Sequence, residues 1–206
     1  MEAILYNSTW VETWKIKLSD SLFGMEVKTS LIHRLLLLQR ANARVAIAHT
    51  KNRWERRGST RKIYKQKGTG NARAGSARSP LRKKGWVAFG PRNDRNFTIS
   101  MNKKERRLAL FSLLSSKAVN NQIKVIDLKK SEELKTKNIV DIAKNMNIGT
   151  GVFAMLPNDR ELFLATRNVA TIKPLWVGYL NPQDLLKYND LIFTKDSLDH
   201  LSQIYS

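Results

Sequence analysis

Apolar residues recur along this chain at two spacings, and the spacings sort the sequence into elements. Short alternating runs at 3–6 and 14–18 predict two edge strands. Over 27–48 the apolar positions fall at Leu31, Leu35, Leu38 and Val45, with Leu36 and Ile47 widening the stripe. That spacing near 3.6 predicts one amphipathic helix of about five turns. Farther on, Asn102 followed by Glu105 has the form of an N-cap with a capping-box partner. Leu108, Phe111 and Leu114, with Leu113, then supply the apolar face of a helix ending near Lys117. The last hundred residues alternate regularly. Strands are predicted at 123–127, 152–156, 175–177 and 190–194, and helices at 134–146, 159–166, 184–188 and 196–204. Strands alternating with helices require crossover connections. The expected fold is α/β: a single globular domain with a largely parallel sheet flanked by helices. No repeat of fixed period is visible.

Between the two long helices the pattern breaks down, and charge changes the picture. Of 206 residues, 37 are Lys or Arg and 17 are Asp or Glu, a formal charge of +20. Residues 51–107 hold 19 of the cations against 3 acids, and the rest of the chain holds 18 against 14. Six of the ten glycines fall between Gly58 and Gly90. A segment so charged repels itself and does not pack alone. Trp54, Tyr64, Trp86 and Phe89 interleave with the charge, unlike the composition of a plain linker. The expected organisation is therefore a globular domain, 1–48 with 99–206, and a long basic extended arm, 49–98, inserted between two helices and ordered by a polyanion. The chain has no cysteine, which excludes a disulfide framework and thiolate chemistry. No apolar run approaches a membrane span, Leu35–Leu38 being the densest patch, and Met1-Glu2-Ala3-Ile4 does not read as a signal peptide. The expectation is a protein neither spanning a membrane nor secreted.

The chemical motifs point away from catalysis. Gly68-Thr-Gly-Asn-Ala-Arg-Ala-Gly75 has the outline of a dinucleotide fingerprint, but such a fingerprint needs a strand before it and a helix after it, and neither is predicted here. No Gly-x4-Gly-Lys-Ser/Thr loop occurs. His33, His49 and His200 are scattered, and Glu132-Glu133, Asp127 and Asp141 read as surface carboxylates or caps. No enzyme, cofactor or metal is expected. The arm suits RNA instead. Lys and Arg neutralise phosphates, glycine lets the backbone approach them, and arginine and aromatic side chains stack on unpaired bases. No helix-turn-helix or zinc-finger framework for reading duplex DNA is present. A phosphate-handling enzyme and a free RNA chaperone are the rival classes.

Four runs carry a resemblance. Arg61-Lys-Ile-Tyr-Lys-Gln-Lys-Gly-Thr-Gly-Asn-Ala-Arg-Ala-Gly-Ser-Ala-Arg-Ser-Pro80 resembles the central loop of the large-subunit ribosomal protein four family, the universal type of bacteria and plastids. Val87-Ala-Phe-Gly-Pro-Arg92 and Asn102-Lys-Lys-Glu-Arg-Arg-Leu-Ala-Leu110 resemble it too, as does 35–48. The chain departs from the family's usual pattern at Gly58-Ser59-Thr60, Lys62-Ile63-Tyr64, Lys84-Gly85-Trp86 and Asn93-Asp94. The resemblance implies a structural constituent of the large subunit that binds 23S-type rRNA and supports assembly and translation. Its globular domain would lie on the outside of the subunit and its arm would reach the wall of the polypeptide exit tunnel. Each limb, about 24 residues long, spans roughly 70–80 Å when extended.

The residues expected to bind rRNA are Lys51, Arg53, Arg56, Arg57, Arg61, Lys62, Lys65, Lys67, Arg73, Arg78, Arg82, Lys83, Lys84, Arg92, Arg95, Lys103, Lys104, Arg106 and Arg107. By resemblance, Arg61, Lys62, Ile63, Tyr64, Lys65, Gln66 and Lys67 form the tunnel tip. The implied partners are large-subunit rRNA and neighbouring large-subunit proteins, including the other tunnel-lining protein. DNA, a membrane and a second copy of the chain are not expected. The Asn102-to-Ala109 stretch resembles plastid versions, and the sixteen asparagines suit an AT-rich organelle genome. The expected location is the plastid (chloroplast) stroma, in the ribosome, with the bacterial cytoplasm as the alternative.

Overall fold

A computed structural model describes residues 1–6, 12–83, 85–127 and 135–205. Its contacts divide the chain into two compact units, Met1–Arg40 with Ser100–Ser206, and Ala41–Ile99. The sequence reading places these junctions at 48/49 and 98/99.

In the first unit, β1 (Glu2–Tyr6), β2 (Glu12–Lys17), β3 (Ile123–Ile126), β4 (Gly151–Met155), β5 (Ile172–Trp176) and β6 (Asp190–Thr194) form one sheet in the order β2-β1-β3-β6-β4-β5. The β1–β2 pair is antiparallel and the other four pairs are parallel. The helices are α1 (Asp20–Phe23), α2 (Thr29–Ala43), α3 (Lys103–Val119), α4 (Thr136–Asn145), α5 (Arg160–Thr166), α6 (Pro182–Lys187) and α7 (Lys195–Tyr205), with a 3-10 turn at Val177–Tyr179. This is the α/β class expected, a mostly parallel sheet with helices.

Successive strand residues point to opposite faces, so the sheet separates two cores. Val125, Val152, Ala154, Leu191 and Phe193 pack on one face against Phe23 of α1, Leu114 of α3, Leu185 of α6 and Leu201 of α7. Ile126, Phe153, Met155 and Ile192 pack on the other against Ile139 and Ile142 of α4 and Leu162 of α5. All five residues of β4 are buried, as in a strand covered on both faces.

Several elements differ from expectation, each for a physical reason. β1 is not an edge strand: it lies between β2 and β3, with parallel partners Ile4 and Lys124. α2 stops at Ala43, well short of residue 48, because Val45 and Ile47 are 73% and 84% exposed and bury no stripe. In α3 the buried residues are Ala109, Leu110, Leu113, Leu114 and Ala118 together with Ser112, Ser115 and Lys117, while Leu108 and Phe111 are half-buried. Polar residues on the buried side shifted the apparent face. Ser112 Oγ accepts from Lys28 N–H at 2.6 Å, and Ser115 Oγ accepts from Met25 N–H at 3.0 Å, anchoring the segment between α1 and α2. Asn102 occupies the N-cap position, but its side chain makes no capping hydrogen bond; Arg106 N–H instead reaches its backbone carbonyl at 3.0 Å. The four-residue α1 is too short to leave a periodic signal. Leu134, the expected start of α4, and Glu132-Glu133 lie outside the described residues.

Candidate nucleic-acid interface

The second unit is the basic segment. Its two limbs meet antiparallel near the middle of the insertion. Lys62 pairs with Ser76 in an isolated bridge, Ile63 N–H donates to Gly75 O at 3.2 Å, and Ser76 Oγ donates to Ser59 O at 3.4 Å. Tyr64 OH donates to Ala72 O, and Lys62 Nζ donates to Gln66 Oε1. The chain therefore reverses between Tyr64 and Ala72, with Gly68 and Gly70 at φ +79° and +67°. Arg61 to Lys67, the expected tip, form one side of this reversal; Gly68 to Asn71, absent from that set, complete it. Tyr64 is half-buried and braces the turn, a role that the sequence alone does not show. Residues 68–75 contain neither strand nor helix, so the fingerprint reading of the glycines has no structural support.

Below the tip, backbone turns compact the returning limb. Ser79 N–H donates to Ser76 O, Arg82 N–H to Ser79 O and Gly85 N–H to Arg82 O. Farther from the tip the limbs are tied again, by Thr50 N–H and Thr50 Oγ1–H, which both donate to Pro91 O, at 2.9 and 3.1 Å. Glu55 adds an ionic tie. Its carboxylate accepts from Asn52 N–H at 2.9 Å and from Arg92 Nη1 at 3.0 Å, and His49 Nε2 lies 3.6 Å away. The Asn52 hydrogen bond and then Arg92 hold the Glu55 carboxyl below the usual carboxylate range, and Glu55 in turn raises Arg92. Asp94 meets the same guanidinium, 3.4 Å from Nε.

This arrangement sorts the expected RNA-binding residues. Residues 41–99 contain sixteen Lys and Arg and two acids, Glu55 and Asp94. Both acids bond Arg92, which is thereby a positioning residue within the arm. Arg56 and Arg78 are partly buried, each with an Nε that is shielded and has no hydrogen-bond partner, and Arg78 covers Gly58. Lys51, Arg53, Arg57, Arg61, Lys62, Lys65, Lys67, Arg73, Arg82, Lys83 and Arg95 are exposed, and Lys84 lies outside the described residues. Lys103, Lys104, Arg106 and Arg107 belong to the first unit, exposed on the opening turns of α3, where the helix dipole disfavours cations. Two residues of the arm were missed. The guanidinium carbons of Arg44 and Arg95 lie over the Phe97 ring, 4.2 and 4.9 Å from its centre. An aromatic ring two positions from an arginine was the available signal for Phe97; Arg44 was hidden inside the overlong helix.

Among the described residues no group of three or more His, Cys, Asp or Glu could hold a metal ion. His33 and Asp141 are exposed, Asp127 continues the β1–β3 ladder through its N–H to Tyr6 O, and His200 sits on α7 with a buried, unpartnered Nδ1. No described helix is long and apolar enough to cross a membrane.

Comparison with known proteins decides the family. The profile of the Ribosomal protein L4/L1 family matches residues 16–204. The chain belongs to that family. It is 39% identical over 202 residues to "Large ribosomal subunit protein uL4" of Thermoanaerobacter sp. (strain X514), covering 98% of both chains. The protein of the same name from Agathobacter rectalis is also 39% identical, again over 98% of both, and that of Desulforamulus reducens is 40% identical over 97% of both. Members of the L4/L1 family are structural, non-enzymatic proteins, in keeping with the absence of a fingerprint geometry around Gly68. These relatives are bacterial, and they lend no support to a plastid location.

Proposed function

We propose that this chain is a structural constituent of the large ribosomal subunit, that the arm of the second unit binds large-subunit rRNA, and that the reversal at 64–72 reaches the exit tunnel. One observation carries the reading: the two acids of the arm are both spent on Arg92, which leaves the exposed cations without carboxylate partners inside it. Phosphates are the anions that dense, irregular cationic backbone is suited to meet, and counterion release supplies most of the affinity. Lys103, Lys104, Arg106 and Arg107 extend the same chemistry onto α3. Neighbouring large-subunit proteins, including the other tunnel-lining protein, complete the set of partners, and the chain enters the particle as a single copy. The bacterial relatives favour the bacterial cytoplasm as the compartment.

The test separates limb from tip. The isolated protein should bind large-subunit rRNA with an affinity that falls by roughly three to five decades between 50 and 200 mM salt, if about six to ten phosphates are neutralised. Combined Arg53→Ala and Arg82→Ala, in the limbs, should lower the yield of large subunits on gradients. Lys67→Glu, within the reversal, should leave that yield nearly intact and change the susceptibility of the assembled ribosomes to macrolide-type inhibitors. A flat salt response counts against RNA binding. Loss of assembly from the tip change alone counts against the tunnel assignment.

A further inference from the structure

The limb segments nearest the chain connections form a groove of about 590 Å3, lined by Val45, Ile47 and Phe89 together with Arg44, Arg92 and Arg95. Its apolar lining is open to solvent: Val45 is 73% exposed, Ile47 84%, and Phe89 fully. Among the described residues of the arm, Phe89 is also the one non-glycine with a positive φ. Its φ is +52°, a left-handed setting uncommon for a bulky residue and retained only where the surroundings enforce it. The enforcement is visible next door. A Cβ on Gly90 would collide with Thr50 Oγ1, and the same Thr50 holds Pro91 O through two hydrogen bonds. The turn is thus fixed so that the chain presents an aromatic ring outward, at a backbone cost, instead of burying it.

We propose that this groove receives one unstacked nucleobase of RNA, its face on the Phe89 ring and its flanking phosphates on Arg44 and Arg95. The inference rests on the reading of the arm as RNA-binding and adds a defined base-stacking site to it. Charge selects the occupant. An apolar peptide segment would satisfy Val45, Ile47 and Phe89 but leave two arginines without anions, since Glu55 and Asp94 are already committed to Arg92. A single-stranded or bulged ribonucleotide offers a π-face and phosphates together. Phe97, with two guanidinium groups against its ring, holds both Arg44 and Arg95 at the groove it helps to line.

The experiment uses the full chain and two RNA probes of about twelve nucleotides, one of adenosine and one of the same length carrying abasic ribose throughout. The wild type should bind the adenosine strand more tightly. Phe89→Ala should weaken that complex by about five-fold to a hundred-fold, on the scale of one lost base–aromatic stack, and leave the abasic complex unchanged. Phe89→Tyr should restore the preference, and Gly90→Ala, which forces the Thr50 contact apart, should reproduce the loss. Equal affinity of the wild type for the two strands overturns the base site and returns the groove to an apolar protein segment. A preference that survives Phe89→Ala also overturns it. Binding of neither strand refutes RNA binding by the arm itself, which is a different failure.

Discussion

Lys117 brings an ammonium group to the buried side of α3, beneath the turn that precedes β6. Its Nζ donates to Tyr188 O at 2.8 Å and to Asn189 O at 2.6 Å, so the charge is solvated by carbonyls instead of a carboxylate. Burial pushes its pKa below the ordinary lysine value of 10.5, and Asp190 opposes the shift without cancelling it. The unfolded chain therefore binds this proton more tightly than the folded one. The cost is fully present below the lowered folded pKa, and stability rises with pH as the solution passes from there through 10.5. Denaturant titrations of the wild type and Lys117→Met between pH 8.5 and 10.5 should show this upward contribution in the wild type only. Parallel slopes in the two proteins would contradict it.

At the scale of elements, the arm is a ladder of separate ties: the Tyr64 hydroxyl at the tip, the Lys62–Ser76 bridge below it, and Thr50 and Glu55 toward the chain connections. The Glu55 tie is pH-sensitive in a definite direction. Its folded pKa is depressed below 4.5, so the tie is intact at and above 4.5 and is lost as pH falls through the lower folded value. Glu55→Gln should reduce the amide-exchange protection of Thr50 at neutral pH, and acidifying the wild type through that lower pKa should bring its protection down toward the variant's. Equal protection in the two proteins at pH 7 would show that Glu55 does not tie the limbs. These ties were not legible in the sequence, because each joins residues of an irregular segment with no periodic pattern to mark its partner. The cationic, glycine-rich composition around them was legible, since it needs no partner to be read. Central strands such as β4 and β6 were found within a residue or so, because a strand buried on both faces is a continuous apolar run. β1 was misplaced to the sheet's edge because pairing order leaves no trace in a five-residue alternation. α2 was overextended because Val45 and Ile47 keep helical spacing while lining the groove of the arm.

For the whole molecule, the two cores and the sheet belong to the first unit alone. Arg34 Nη2 lies 3.6 Å from Glu105 Oε2 in that unit, an ion pair that joins the helices on either side of the insertion without the arm. Replacing 41–99 with a short flexible linker should thus preserve a cooperative thermal transition, because loop closure depends only weakly on length. Its disappearance would mean that the arm contributes to the core. The strand order has a consequence in time. β1 pairs with β3, and β3 with β6, so the N-terminal hairpin waits for a partner at 123–126 and the centre of the sheet waits for 190–194. The basic arm leaves the synthesising machinery before either. At ordinary elongation rates, on the order of ten seconds separate its emergence from that of β6. During that interval the nascent chain is a tethered polycation without a finished domain behind it, and the first anion it captures can set the course of its maturation.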